Sequence, residues 1–348
     1  MSAEQVEREL ARLRMNEDGS LGLRASVLNL MVVTDEESAS SITRVISELS
    51  GRHPSRAILM ISDPGEEEAN LEIGLSAFCG VRREIPGGGS NQVCAEQITV
   101  HVEGPPAEHL ESFAGPLLIP DLPVFLWYPN GEIPRSPECD GMVALADRLI
   151  LDSGAAEDCE TFLCDVAKLF GEGAPAVGDL QWTALSPWRS LVADLFAPAK
   201  RASELARIRQ VEILHKPEGE CRALLFAGWF ASALGWRPES SARAQGDRVF
   251  GFAGPSGEVT VALSPGSPDA RLRRVRLRSD GYSYQVSRQR ELSAVCSTVM
   301  RGDELCAERT VRLGVFDPSV LVGEELHYRG RDGVYEAALC TVVEMLTL

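Results

Sequence analysis

The sequence predicts an α/β N-terminal domain, with a mostly parallel sheet and an antiparallel hairpin, followed by an α+β C-terminal domain with an antiparallel sheet. Three observations support this fold class. A strand, a helix and a second strand follow one another within residues 24–62. A short apolar run bounded by prolines, residues 124–128, is typical of a strand buried on both faces. From residue 248 onward, short strand patterns alternate with Gly and Pro turns.

The first strand–helix–strand unit indicates parallel strands joined by a right-handed crossover. Residues 26–33 are apolar, Thr34 with Glu37 three residues later fits a helix capping box, and residues 57–61 form the next strand. A dinucleotide-binding unit would place a glycine-rich turn after the first strand. Here the turn reads TDEESA, so carboxylates take the place that a phosphate would occupy at the helix N-terminus. We therefore expect no nucleotide cofactor in this unit.

Two alternating segments, residues 71–79 and 98–102, predict a hairpin. The sequence PGGGS at residues 86–90 lies between them and predicts a flexible tip rather than a phosphate loop, because it joins two strands and does not open a helix.

The run PLLIPDLPVFLWYPNGEIP, residues 116–134, places a buried strand between Pro123 and Pro129. This strand is either a central core strand only, or its ends also form a binding mouth. In the second interpretation the prolines, Asp121 and the Trp127–Tyr128 pair lie together at the strand ends, where α/β proteins bind ligands.

Further helices are predicted at residues 106–115, 140–147 and 157–170, with a strand at 148–152. Ser186 as N-cap and Pro187 as first helical residue predict a helix that runs to about Phe196. The resulting domains are an N-terminal helix at 1–20, an α/β domain at 21–197 and an α+β domain at 198–348. The charge supports the last boundary, since residues 1–196 hold 13 Lys and Arg against 32 Asp and Glu, and the remainder holds 21 against 19.

The second domain contains an arginine-rich strand at residues 271–278, with Arg274, Arg276 and Arg278 on one face. One interpretation is a solvated edge strand that its charges protect from pairing. The alternative is a basic strip that meets an acidic partner or a phosphate group. Predicted around it are strands at 207–215, 248–253, 258–263, 282–287 and 309–314, and helices at 219–234 and 333–346.

The composition excludes several classes of protein. A net charge of −17 argues against nucleic-acid binding. No apolar run reaches the roughly 18 residues of a membrane span, and the N-terminus lacks a signal-peptide core, so we expect a cytoplasmic protein. The nine cysteines contain no C-x-x-C pair and are expected to be mostly reduced, without a local bridge between Cys159 and Cys164.

No catalytic set is visible in the sequence. Five histidines are scattered along the chain, and no hydrolase, metalloprotease or kinase motif occurs. The residues alone therefore predict neither an enzyme mechanism nor a metal site.

Four motifs, in order and with their spacing, resemble the glucose-6-phosphate dehydrogenase assembly protein, the OpcA family. They are HPSRAI at 53–58, PLLIPDLPVFLWYP at 116–129, LADRLILDS at 145–153 and DLQWTALSPWRSLVADLF at 179–196. The resemblance implies a non-catalytic assembly factor or allosteric activator that binds glucose-6-phosphate dehydrogenase in the oxidative pentose phosphate pathway, with no cofactor.

The positions that the resemblance marks as characteristic of the family are His53, Ser55, Arg56, Asp121, Trp127, Asp147, Arg148, Asp152, Trp182, Trp188 and Arg189. They either bind the dehydrogenase or hold the fold. We further expect the strip formed by Arg274, Arg276 and Arg278 to contact an acidic surface of that partner. The alternative function is a sugar-phosphate sensor or enzyme that uses the strand ends near Asp121.

Overall fold

A computed structural model describes residues 3–14, 23–24, 26–85, 88–133, 141–266, 269–289, 294–314 and 316–348. Part of the predicted N-terminal helix, residues 15–20, and Pro86 and Gly87 of the predicted hairpin tip lie outside these residues. The first elements in chain order are α1 (Ala3–Leu13), β1 (Leu23–Arg24), β2 (Leu28–Thr34), α2 (Glu36–Ser50), β3 (Ser55–Asp63), β4 (Asn70–Ile85), β5 (Gly88–Glu103), α3 (Glu111–Ala114), β6 (Val124–Tyr128), α4 (Gly141–Ala144), β7 (Arg148–Leu151), α5 (Cys159–Lys168) and β8 (Ala176–Asp179).

The remaining elements are α6 (Leu180–Phe196), α7 (Ala199–Ala202), β9 (Gln210–His215), α8 (Glu220–Leu234), β10 (Arg237–Ala244), β11 (Asp247–Gly254), β12 (Gly257–Ser264), β13 (Leu272–Ser279), β14 (Tyr282–Arg288), β15 (Ala294–Arg301), β16 (Glu304–Arg312), α9 (Pro318–Glu325) and α10 (Gly333–Leu346). Among the described helices, none combines the length and apolar character needed to cross a bilayer.

The chain divides into two compact units whose segments alternate along the sequence. The first unit contains residues 1–152, 171–178 and 317–331, and the second contains 153–170, 179–316 and 332–348. The sequence places the boundary between its two main domains after residue 197, whereas the chain passes between the units five times. The division by contacts does not test the three predicted domain ranges, which stay a prediction.

The first unit is built on a sheet of order β1-β5-β3-β2-β6-β7-β8, with β4 pairing β5 in addition. Strands β2, β3, β6 and β7 run parallel, and β4 pairs β5 antiparallel as the predicted hairpin requires. Every residue of β2 and β6 is buried, because helices or connections cover both faces of a parallel sheet. The α/β fold predicted for the first part of the chain is confirmed.

Helix α2 begins one residue later than the capping box predicts. Asp35, not Thr34, is the N-cap, and its side chain accepts a hydrogen bond from the amide of Ser38. Thr34 is the last residue of β2, and its hydroxyl accepts a hydrogen bond from Asn130. Two adjacent cap-competent residues made the sequence ambiguous, and the extension of the strand settles it.

The second unit contains a mostly antiparallel sheet of order β10-β11-β12-β9-β13-β14-β15-β16. Its inner face is apolar and packs against helices; the ring centroids of Phe196 in α6 and Tyr284 in β14 are 4.5 Å apart. This confirms the predicted α+β class. Among the elements missing from the sequence prediction are β10, β15 and α9.

Two sequence predictions in this unit are wrong. Helix α6 begins at Leu180, where Asp179 is the N-cap and accepts from the amide of Gln181, so Pro187 lies inside the helix and not at its start. Trp182 and Trp188 are both buried, so packing of the helix on either side of Pro187 offsets the hydrogen bond that its missing amide removes. Strand β13 is also not an edge strand, since it pairs with both β9 and β14. Its arginines mark an open face of the sheet instead.

Candidate functional site

The carboxyl end of β2 and the start of α2 lie where α/β proteins of this kind bind ligands. Asp35 occupies the N-terminus of α2, with its Oδ1 2.7 Å from the amide nitrogen of Ser38. Its Oδ2 accepts a hydrogen bond from Asn130 at 2.6 Å. Glu36 and Glu37 follow in the first turn. Asp35 occupies an amide that could otherwise hold a phosphate, and the three carboxylates together repel an anion at this helix N-terminus.

The opposite end of β6 carries an open depression lined by Asp121, Leu122, Pro123, Asp147 and Arg329. Asp121 has a positive φ of 66°, and a carboxylate oxygen of Asp147 accepts from the amide of Val124 at 2.8 Å. The depression therefore offers one guanidinium beside two carboxylates.

The predicted mouth that combined Asp121 with Trp127 and Tyr128 does not form. Asp121 precedes β6, whereas Trp127 and Tyr128 lie at its far end, and both rings are buried. Residues at opposite ends of one strand lie at opposite edges of the sheet. For the Val124–Tyr128 strand, the central core interpretation describes the observed structure.

Ser55 and Arg56 of the HPSRAI motif open β3 and are buried. The Nε and Nη2 atoms of Arg56 lie 3.0 and 2.7 Å from Oε2 of Glu96. Its Nη1 contacts Glu7 of α1 and the carbonyl oxygen of Leu117. Arg56 therefore ties the N-terminal helix and a neighbouring loop to the sheet, a structural role.

Arg148 of the LADRLILD motif is the second buried arginine of this unit. Its Nε and Nη2 atoms lie 3.0 and 2.5 Å from Oε2 of Glu325, and its Nη1 donates to the carbonyl of Gly330. A Cβ on Gly178 would lie 2.0 Å from Oε2 of Glu325, so only glycine leaves room for this pair. Asp152, one residue beyond the end of β7, is half-buried.

His53 lies in a half-buried position beside His327. The two ring centroids are 4.7 Å apart in an edge-to-face arrangement. Burial, followed by the effect of His327, lowers the pKa of His53. His53 is thus expected to be neutral at pH 7 in the folded protein.

Trp182, Trp188 and Arg189 form an internal anchor of α6. The indole Nε1 of Trp182 donates to Asp332 at 2.8 Å, and Asp332 also caps α10. The Arg189 guanidinium lies 3.5 Å from the centroid of the Trp182 ring, a cation–π contact. Trp188 is fully buried. These contacts link α6 to the start of α10 within the second unit.

The open face of the second sheet places Arg274, Arg276 and Arg278 in a row along β13, and we call these three residues the arginine strip. Arg276 donates from Nε and Nη2 to Oε1 of Gln285, at 3.1 and 2.8 Å. Glu212 of β9 pairs with two of the arginines, at 3.6 Å from Arg276 and 3.2 Å from Arg278. The side chains of Arg276 and Arg278 are 28% and 45% exposed to solvent. The three arginines thus lie together on one partly exposed face, and their contact with a partner stays a prediction.

The sequence did not indicate several hydrogen-bond and ion-pair partners of the predicted residues, because these partners lie far along the chain. They are Glu96, Glu212, Gln285, Glu325 and Asp332. Cys159 and Cys221 form a disulfide although they are 62 residues apart, and this pair is an exception to the expectation that the cysteines are mostly reduced. No sequence spacing indicates these contacts, since each depends on how helices pack in the folded chain or on which residues of neighbouring strands are paired.

The characteristic positions therefore do not converge on one site. Six of the eleven are buried, and Arg56, Arg148 and Trp182 among them bond to partners within their own unit, whereas Arg276 and Arg278 of the arginine strip are partly exposed. Within the described residues, no group of three or more His, Cys, Asp or Glu side chains is arranged to hold a metal ion.

Comparison of the sequence with protein families gives two matches. Residues 46–168 match the profile described as glucose-6-phosphate dehydrogenase subunit N-terminal domain. Residues 175–339 match the corresponding C-terminal domain.

Curated relatives carry the name OxPP cycle protein OpcA. The protein from Nostoc punctiforme is 31% identical over 208 residues, covering 60% of this chain and 44% of that protein. The protein from Synechocystis is 26% identical over 326 residues, covering 87% of this chain and 66% of that protein. The chain thus spans between about half and two thirds of the length of these relatives.

Among solved structures, a 3-ketoreductase from Actinomadura kijaniata, crystallised with TDP-benzene and NADP, superposes with a TM-score of 0.50 at 13% identity. The superposition covers 92% of this chain and 96% of the reductase. At this identity the likeness shows the fold alone. The two family profiles, in contrast, together cover well over half of the sequence. The chain therefore belongs to the OpcA family of glucose-6-phosphate dehydrogenase assembly subunits.

Proposed function

We propose that this chain is a non-catalytic subunit that binds glucose-6-phosphate dehydrogenase and stabilises one assembly or activity state of that enzyme. The family supports the partner, and the structure supports the second part of the proposal by disfavouring a nucleotide cofactor in the first unit. The single observation that carries the second part is the carboxylate of Asp35 at the N-terminus of α2.

The argument from Asp35 is electrostatic. A helix N-terminus binds phosphate because its free amides and its dipole favour negative charge. In this chain the amide of Ser38 is already bonded to Asp35, and Glu36 and Glu37 add further negative charge. A dinucleotide pyrophosphate at this position would meet like charge and lose the amide contact. This electrostatic arrangement supports the absence of a dinucleotide site at the β2–α2 turn.

An assembly subunit acts by differential binding. Its effect on the dehydrogenase equals the difference in binding free energy between the two states of the enzyme, and a factor of ten in that equilibrium needs about 1.4 kcal/mol. No catalytic group on the subunit is required for this effect.

The direct test is a titration of this chain into the purified glucose-6-phosphate dehydrogenase of the same organism, with enzyme activity and particle mass followed together. We expect a saturable change in activity or oligomer size. Parallel titrations with a thiol reductant test whether the Cys159–Cys221 bridge affects binding. Absence of a complex and of any kinetic change under both conditions would refute the proposal.

NADP⁺ provides the control for the non-catalytic part. A ligand that binds only the folded state raises the unfolding temperature, and the gain grows with the ratio of its concentration to its dissociation constant. We expect no shift with millimolar NADP⁺, and a shift that vanishes on mutation of the β2–α2 turn would show a nucleotide site after all.

A sugar-phosphate sensor is the alternative function, and the depression beside Asp121 is its candidate site. Arg329 supplies a guanidinium there, which favours a phosphate, but Asp121 and Asp147 oppose it. A thermal-shift series with glucose 6-phosphate and 6-phosphogluconate decides the matter. Stabilisation that Arg329→Ala abolishes would establish the sensor, and no shift is expected.

A further inference from the structure

The second sheet has two unlike faces. Its inner face carries apolar side chains that are fully buried, such as Val211, Ile213, Val275 and Leu277. Its outer face alternates with them and carries half-buried and exposed side chains along β9, β12, β13 and β14. Helices α6 and α8 contact this sheet, and Phe196 of α6 packs on Tyr284 of the inner face. The outer face is thus a broad accessible surface.

The strand register fixes what surrounds the arginine strip. Arg274 lies between Leu214 and Ser287, Arg276 between Glu212 and Gln285, and Arg278 between Gln210 and Ser283; the register gives these pairs. Among these six direct neighbours, Glu212 is the single carboxylate. Three guanidinium charges therefore share one negative charge, and the central patch carries an excess of two positive charges.

The arginines are also partly desolvated. The Nε of Arg274 is buried and has no hydrogen-bond partner among the described residues. Burial, and then repulsion from Arg274, lower the pKa of Arg276, although Glu212 opposes this. Crowded, dehydrated guanidinium groups gain more from a new carboxylate than fully hydrated ones do.

The geometry of the patch suits a flat partner. Gln285 holds the guanidinium of Arg276 through two hydrogen bonds, so this side chain is preorganised and loses little conformational entropy on binding. Small serine side chains at positions 283 and 287 flank the strip, and the side chains of Arg276 and Arg278 are 28% and 45% exposed. Bidentate pairing with carboxylates is the contact for which arginine is suited.

We propose that the arginine strip is the centre of a docking surface for a carboxylate-rich face of glucose-6-phosphate dehydrogenase. The inference rests on the proposed function and adds the surface and the chemistry of the contact. The charge of this patch is opposite to the net charge of −17 of the whole chain. Local complementarity of this kind selects one orientation of docking in an otherwise acidic protein.

Glu212 has an opposing role in this arrangement. It already occupies Arg276 and Arg278, so it competes with the carboxylates of the partner. Removing its charge should free both arginines. Variants of the strip and of Glu212 are therefore expected to change the affinity in opposite directions, which a general loss of folding does not produce.

The test measures the dissociation constant for the dehydrogenase of the same organism at low and high salt. We expect the triple variant R274E/R276E/R278E to bind at least about 100-fold more weakly. Glu212→Gln should bind roughly 3- to 10-fold more tightly at low ionic strength, with the gain lost at high salt. A milder triple variant, R274Q/R276Q/R278Q, applies the same test where charge reversal lowers stability.

The matched control reverses three exposed arginines elsewhere, R12E/R44E/R243E, whose side chains are 76%, 74% and 74% exposed. It changes the net charge equally and should keep wild-type affinity. Unchanged binding by the strip variants, or equal loss in the control, would overturn the docking surface and leave the proposed function standing. If the strip variants, measured without the dehydrogenase, differ in particle mass from the parent chain, the face contacts a second copy of the chain and the proposal is overturned. Failure of the unmodified chain to bind would overturn both inferences.

Discussion

The two sheets of this protein use arginine in opposite ways. In the first sheet Arg56 and Arg148 are 1% and 3% exposed, and each has a buried glutamate within 3.0 Å. In the second sheet Arg276 and Arg278 are partly open to water and share Glu212. A buried guanidinium needs its own carboxylate, because desolvation is costly, whereas water screens an excess of charge on an open face. The number of arginines in a strand therefore does not tell their role, but their burial does.

The largest effect should come from breaking a buried pair. Glu325→Ala leaves the Arg148 charge buried without its carboxylate, and we expect a loss of about 3–5 kcal/mol in the free energy of unfolding. Urea denaturation measures it. The control Glu324→Ala removes an exposed carboxylate from the same helix and should change stability by less than about 0.5 kcal/mol. A loss below about 1 kcal/mol for Glu325→Ala would show that Arg148 is hydrated and that the contrast between the sheets is false.

A second effect, of intermediate size, concerns pH. Because burial lowers the pKa of His53 below its ordinary value of 6.5, the unfolded chain binds a proton that the folded chain resists. The contribution of His53 to stability is therefore present above pH 6.5 and is lost as the pH falls through the lower, folded-state pKa. His53→Gln should flatten the decline in stability between pH 7 and pH 5.

Denaturation midpoints at several pH values measure this slope, and His109→Gln is the control because the His109 side chain is 72% exposed. Equal slopes for the parent chain and His53→Gln would mean that the ring of His53 reaches solvent. The burial contrast would then not extend to this part of the first unit.

The smallest effect is expected on the open face. Arg278→Ala removes a side chain that is 45% exposed and paired with a partly exposed Glu212, so stability should change by less than about 0.5 kcal/mol. Thermal unfolding of the two proteins side by side measures the difference. A loss above about 2 kcal/mol would assign the strip to the framework of the sheet and remove the reason to regard it as a surface for a partner.

The sequence predicted elements whose signal is local. Hydrophobic periodicity and nearby Gly, Pro or capping residues predict the β2–α2–β3 unit, the strand at Val124–Tyr128 and the helices α8 and α10. The common face of Arg274, Arg276 and Arg278 follows from the two-residue repeat of a strand. The sequence also predicted the acidic turn between β2 and α2, although it placed the N-cap of α2 one residue too early.

The partners of these side chains could not be predicted, because each lies at a long and unconstrained sequence distance. Glu325 follows Arg148 by 177 residues, and Glu96 follows Arg56 by 40. The start of α6 was misplaced for a related reason. Pro187 is a strong local signal for a first turn, but the burial of Trp182 and Trp188 along one continuous helix outweighs it.

The alternation of segments between the two units has a consequence for biosynthesis. Residues 317–331 belong to the first unit, and Glu325 among them neutralises Arg148 in β7. During translation the ribosome releases β7 long before it has made this glutamate. A first sheet that folded earlier would bury the Arg148 charge without its carboxylate until residue 325 has emerged. Co-translational folding of this unit cannot finish from its N-terminal half, and messages truncated before residue 325 should yield chains that the cell degrades.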